Sequence, residues 1–115
     1  MSLSCVGSTA EDQVRQHFVD KVFISTKGFI PEEGTFESSV GLFTIKRIMA
    51  ERCDKLILLV DHSKFGRRAL CKALDISQIG TVITDSRVAK SDLAALEKSS
   101  VVVFVAKTES STGVN

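Results

Sequence analysis

Asp61, Ser63 and Lys64 stand together in the run Asp61-His62-Ser63-Lys64-Phe65-Gly66, directly behind the apolar stretch Lys55-Leu-Ile-Leu-Leu-Val60. Three further apolar stretches also end in polar groups: Ser25-Thr26-Lys27-Gly28, Thr84-Asp85 and Lys107. Ammonium groups, hydroxyls and carboxylates gathered at one place suit a phosphorylated polyol. Lysine pairs with phosphate, and aspartate accepts hydrogen bonds from sugar hydroxyls. The plainer alternative is that strands end in polar turns at any surface. Lys64, Arg67, Arg68 and Lys72 form a short basic cluster that suits phosphate, a solvated face or an oligomer contact. Other chemistries find less support. The two histidines, His17 and His62, are far apart, and no His, Cys and carboxylate set has metal-ligand spacing, so no metal site is expected. Ser63 lacks the Gly-x-Ser-x-Gly setting of a hydrolase nucleophile. Glu32, Glu33 and Glu37 suit acid–base work or a charged exposed loop equally well.

Whether these groups meet depends on the elements that carry them. Ser8 and Thr9 have capping-box spacing to Glu11 and Asp12, and Ala10, Val14 and Phe18 share a stripe, which predicts a helix over 9–18. The β-branched and aromatic residues of 21–26 predict a strand. Residues 28–39 contain Gly28, Pro31 and Gly34 with three glutamates and read as a long loop, a feature often tied to function. Leu42, Ile45, Ile48, Met49 and Cys53 keep a helical period over about 40–53, with Lys46 placed to extend to solvent and Cys53 acting as a small buried hydrophobe. The run 55–60 reads as a strand buried on both faces. Residues 67–76 fit helix or irregular strand. A strand over 81–84, a helix over 91–99 capped by Ser91, and a strand over 101–106 complete the order, followed by a polar tail at 108–115 expected to be disordered.

Strands separated by helices argue an α/β fold, a mostly parallel sheet flanked by helices. In such a sheet the carboxyl ends of the strands share one edge, and ligands bind in the crevice there. The chain has 115 residues, of which 43% are hydrophobic and 25% charged, enough for one domain with a real core. Lys plus Arg number 15 against 14 Asp plus Glu, for a net charge of +1, which disfavours a domain-wide nucleic-acid surface. Three cysteines, none in a Cys-x-x-Cys pair, argue against a disulfide framework and fit a reducing cytoplasm. No apolar run approaches the ~20 residues that span a bilayer.

The Asp-x-Ser-Lys-Phe-Gly element behind an apolar strand resembles the DeoR family of bacterial transcriptional regulators, specifically their C-terminal effector-sensing domain. Val6-Gly7, Asp20-Lys21-Val22-Phe23-Ile24, Gly28, Gly34, Lys46-Arg47 and Val82-Ile83-Thr84-Asp85 continue the resemblance in order. It implies a fold like that of ribose-5-phosphate isomerases and CoA transferases. It also implies a pocket for a phosphorylated sugar or related metabolite, with no cofactor and no catalytic residue. Carried onto this chain, Asp20, Gly28, Lys46, Asp61, Ser63 and Lys64 would line that pocket, with Thr84 and Asp85 at the next strand end. Lys46 and Lys64 would supply positive charge, while Asp20 and Asp61 would address hydroxyls or fix the lysines. Residues 1–107 would then be a sensing domain lacking its first portion, a homo-oligomer in the cytoplasm, with DNA bound only by a winged helix-turn-helix outside this chain. Ser25 stands where many members have glycine, and Thr44 where an acidic residue commonly precedes the helix lysine.

Two other classes compete. A receiver-like phospho-acceptor would order an Asp, a Thr and a Lys at successive strand ends, as Asp61, Thr84 and Lys107 do, although no acidic pair closes an early strand. A sugar-phosphate isomerase on the same fold would use lysine and carboxylates at the same edge. A pure oligomerisation module is compatible with sensing.

Overall fold

The computed structural model describes residues 8–107, so the expected tail at 108–115, the Val6-Gly7 pair and Cys5 lie outside the described residues. The first helix, α1, spans Ser8–Arg15, and β1 follows at Val19–Ile24. The helix stops short of the expected residue 18 because Val19 N–H already donates to Arg52 O (3.0 Å) and opens the sheet.

The expected loop at 28–39 is the largest correction. It contains β2 (Gly28–Ile30) and β3 (Gly34–Glu37), an antiparallel hairpin that pairs on its far side with β5 (Cys71–Asp75). The segment left open at 67–76 is thus a strand in its second half. Strands this short carry no readable alternation, and their partner lies some forty residues away. At the register shift between Thr35 and Phe36, the Thr35 hydroxyl accepts from Leu74 N–H (3.2 Å) and satisfies a buried donor.

Helix α2 spans Val40–Glu51, and the Ser39 side chain accepts from Leu42 N–H (3.3 Å) at its start. Then come β4 (Cys53–Leu59), a 3-10 turn at His62–Lys64, a second such turn at Ile76–Gln78, β6 (Thr81–Asp85), α3 (Lys90–Lys98) and β7 (Val102–Ala106). Ala89, not Ser91, occupies the cap position of α3 and makes no side-chain cap bond. Cys53 is half-buried at the amino end of β4. Burial, and then the Asp54 charge, push its thiol above the ordinary range, so it stays protonated.

Strands β1, β4, β6 and β7 form a four-stranded parallel sheet in that order. The order never reverses, and parallel crossovers are right-handed, so every connection packs on one face. On that face Val22, Ile24, Leu56, Leu58 and Val82 meet Leu96 of α3, part of α2, and Phe29 and Leu74 of the second sheet. The expectation that 55–60 is buried on both faces therefore fails on one of them: Leu59 is 41% exposed.

The turn after β5 has a measurable charge state. Asp75 accepts from Ser77 Oγ (2.7 Å), Lys72 Nζ (3.0 Å) and Ser77 N–H (3.1 Å). The Ser77 hydroxyl, then Lys72 and the Ser77 amide, bring its carboxyl from 3.8 down to about 2. A carboxylate with a lowered value favours the fold above its ordinary range, and that contribution fades as pH falls from about 4 towards 2. Carbon-detected NMR titration should find the Asp75 midpoint near 2, and Ser77→Ala should move it upward.

Candidate functional site

Parallel pairing brings the carboxyl ends of β1 and β4 to one edge, where the chain leaves each strand in a polar turn. A cavity of about 380 Å³ opens there, lined by Ser25, Thr26, Lys27, Glu37, Leu42, Lys46 and Lys64. Four elements meet in it: the turn after β1, the end of β3, the first half of α2 and the 3-10 turn after β4.

Its floor is an ion pair. Lys46, on α2, is 4% exposed and does not extend to solvent as expected; its ammonium donates to Glu37 Oε2 at 2.6 Å and to the Ser25 carbonyl. Glu37 is 1% exposed, so both charges are withdrawn from water and held by one another. Thr26 completes this wall, its buried hydroxyl bridging Gly28 O and Phe36 O (both 3.0 Å). Gly28 itself contributes backbone. A Cβ there would lie 2.2 Å from the Arg67 carbonyl oxygen, so only glycine lets β2 lie against that segment.

The Asp61–Gly66 motif has a local physical account. Asp61 caps the 3-10 turn, accepting from Ser63 N–H (2.8 Å) and from the Ser63 hydroxyl. The Ser63 hydroxyl first, with the Ser63 amide and the Lys64 charge behind it, holds the Asp61 carboxyl below its ordinary value against desolvation. Phe65 anchors the turn edge-on against Phe29 with ring centroids 5.3 Å apart, and Gly66 N–H donates to Phe29 O (2.8 Å). The capped, anchored turn carries Lys64 into the cavity wall. Neither Lys64 nor Lys27 takes part in an ion pair among the described residues.

Beside this turn, at the end of β6, Asp85 accepts from His62 N–H (2.9 Å), His62 Nδ1 (3.1 Å) and Arg87 N–H (2.8 Å). Desolvation opposes its ionisation, but these donors together hold it below the ordinary range. Asp61, His62 and Asp85 thus bring three potential ligand atoms within 4.8 Å of one another, a grouping invisible to sequence spacing because adjacency of β4 and β6 creates it. Each carboxylate in it is already occupied by hydrogen bonds of the turns it caps. Thr84 faces the core with Val82, its hydroxyl buried and without a partner.

Of the eight residues expected at the site, Lys46 and Lys64 line the cavity. Asp61 and Ser63 build the turn that presents Lys64, Gly28 backs the wall, and Asp85 tethers the turn through His62. Thr84 lies beneath the strand end. Asp20 is not among the residues that line this cavity. It is exposed near the amino end of β1, five residues before Ser25 and roughly 16 Å away along the strand. Sequence spacing does not show Glu37 as the partner of Lys46, because the short strand that carries it has no readable alternation and the segment looks like a loop. Ser25 lines the cavity, whereas Thr44 turns its hydroxyl back to Val40 O (3.0 Å).

Comparison with known proteins agrees with this architecture. The sequence profile described as the DeoR C terminal sensor domain matches residues 1–86. The HTH-type transcriptional regulator YulB of Bacillus subtilis (strain 168) is 35% identical over 102 residues, covering 89% of this chain and 40% of the relative. YgbI, an HTH-type transcriptional regulator of Escherichia coli (strain K12), is 32% identical over 106 residues, covering 92% and 41%. The glycerol-3-phosphate regulon repressor of the same strain is 30% identical over 81 residues, covering 70% and 32%. The chain spans about two-fifths of the length of the first two. Among the described residues no helix is long and apolar enough to cross a membrane. A parallel sheet with an antiparallel hairpin beside it, a capped Asp-x-Ser-Lys-Phe-Gly turn and a profile match over residues 1–86 have one common source: the chain belongs to the DeoR C-terminal sensor domain family.

Proposed function

We propose that this domain senses a phosphorylated sugar or a related phosphorylated metabolite in the cytoplasm. It acts as the non-enzymatic part of a transcriptional regulator whose DNA-binding domain lies outside this chain. The observation that carries this reading is the pairing pattern in the cavity. Glu37 neutralises Lys46, which leaves Lys27 and Lys64 as unmatched positive charges on its wall. An anion entering there gains two ammonium partners. It also gains the positive end of the α2 dipole, whose first turn borders the cavity at Leu42. The volume suits a small metabolite. The name of the glycerol-3-phosphate regulon repressor places a phosphorylated polyol in the biology of one relative.

Thermal unfolding against sugar phosphates, the matching free sugars and inorganic phosphate tests the reading. At about 100-fold above Kd a ligand adds ~2.7 kcal/mol, which raises Tm by roughly 10–20 °C in a domain of this size. The expected result is a shift with one phosphorylated compound, absent with its free sugar and removed by Lys64→Ala. A flat panel overturns the proposal. So does turnover of ribose 5-phosphate followed by NMR, which would mark an isomerase. Phosphorylation lost in Asp61→Asn, which would mark a phospho-acceptor, overturns it as well.

A further inference from the structure

The cavity carries its charge unevenly from floor to rim. At the floor, Glu37 and Lys46 are almost fully buried and cancel one another. Nearer solvent, Lys64 is half-buried and Lys27 exposed, and neither is ion-paired among the described residues. The floor is also unfinished. A lysine ammonium has three N–H donors, and Lys46 spends two of them, on Glu37 Oε2 and on the Ser25 carbonyl. The other carboxylate oxygen, Oε1 of Glu37, accepts from no described residue. It is not sealed off either: among the described residues the enclosed side-chain polar atom without a partner is the Thr84 hydroxyl. Oε1 therefore opens on the cavity that Glu37 lines. The neighbouring Thr26 hydroxyl cannot serve it, because its hydrogen is committed to Gly28 O and Phe36 O.

We propose that Glu37 sets the specificity of this pocket, accepting a hydroxyl of the ligand and turning away a second anionic group. The inference rests on the sensing reading above and narrows it to a ligand with one phosphate and an uncharged, hydroxylated far end. A hydroxyl both donates and accepts, so it can give its hydrogen to Glu37 Oε1 and take the remaining Lys46 N–H. A carboxylate or a second phosphate dianion has no hydrogen to give, and it sets a like charge against Glu37 where water is scarce. Such opposition is a means by which a site rejects the wrong partner. The rim lysines do not offset it, since the first phosphate already holds them. At about 380 Å³ the cavity is near the lower limit for metabolite sites, so the far end of a bound ligand meets the floor.

Calorimetric titration with matched pairs tests this: glycerol 3-phosphate against 3-phosphoglycerate, and fructose 6-phosphate against fructose 1,6-bisphosphate, with inorganic phosphate alongside. In a pair that binds, the member with one phosphate and no other anion should bind roughly 30-fold tighter or more. In Glu37→Gln that preference should shrink to about threefold or less, because the amide keeps the shape and an acceptor while removing the charge. If Glu37→Gln does not fold, the double variant Lys46→Met/Glu37→Gln, which leaves no buried charge, should show the same loss of preference. Equal or tighter binding of the doubly anionic member by the native chain overturns the inference. So does a preference that survives removal of the carboxylate. Both of those outcomes leave a phosphorylated ligand bound, so the sensing reading stands. Binding of no phosphorylated compound overturns that reading, and this inference falls with it.

Discussion

Replacing Lys46 with methionine should destabilise the domain by about 3–5 kcal/mol, because it strands the Glu37 carboxylate in a site withdrawn from water. Tm should fall by roughly 15–30 °C. The companion variant separates charge from shape. With Glu37→Gln added, no buried charge is left unpaired, and most of the lost stability should return, since buried ion pairs seldom outperform neutral groups of similar volume. The Ser25 carbonyl that also accepts from Lys46 borders the cavity, where water can replace the donor. Denaturant unfolding of the two single variants and the pair, read as a double-mutant cycle, checks this. If the double variant is as unstable as Lys46→Met alone, lysine packing matters and the ion pair does not. The double variant also serves the functional question, because a folded domain lacking the pair reports whether ligand binding needs it.

Gly34→Ala should be nearly as damaging, through backbone alone. Gly34 has φ +140°, and a Cβ there would lie 1.9 Å from the Leu74 carbonyl oxygen and 3.0 Å from the Asp75 Cα. Both neighbours are main-chain atoms of β5, paired with β3 at this register, so neither can rotate away. Strain at the left-handed φ adds to the clash, and the expected loss is about 3 kcal/mol or more. The consequence reaches the cavity, since Glu37 rides on the same strand three residues on. Urea unfolding measures the stability loss. Ligand-induced thermal shift on whatever folded protein remains should show weakened binding. Unchanged stability would mean that β3 and β5 separate at this register without cost.

The residues that carry chemistry were legible where they sit behind an obvious strand. Asp61, Ser63 and Lys64 follow a continuous apolar run, and the structure places Lys64 in the cavity as that position suggests. Lys46 was legible through the period of its helix, but its environment was not. A helical wheel shows a lysine beside apolar neighbours and cannot show that Glu37, on a hairpin strand, waits beneath it. The position of Asp20 relative to this cavity was hidden for a related reason. Resemblance located the strand, but position along a strand decides which end a side chain occupies, and Asp20 stands at the end away from the cavity.

Composition, periodicity and turn chemistry determined that this is an α/β domain, where its longer helices and parallel strands lie, and that the chemistry gathers behind the strands. Those are local quantities, set by side chains within a turn or a few residues of each other. Tertiary structure alone decided the rest. The second sheet exists because β3 pairs with β5 across more than thirty residues. Glu37 and Lys46 lose water only because that sheet packs beside α2. Among the described residues every crossover covers the same side of the parallel sheet, because strand order never reverses. Each depends on which distant segments become neighbours, and no window along the chain contains both partners.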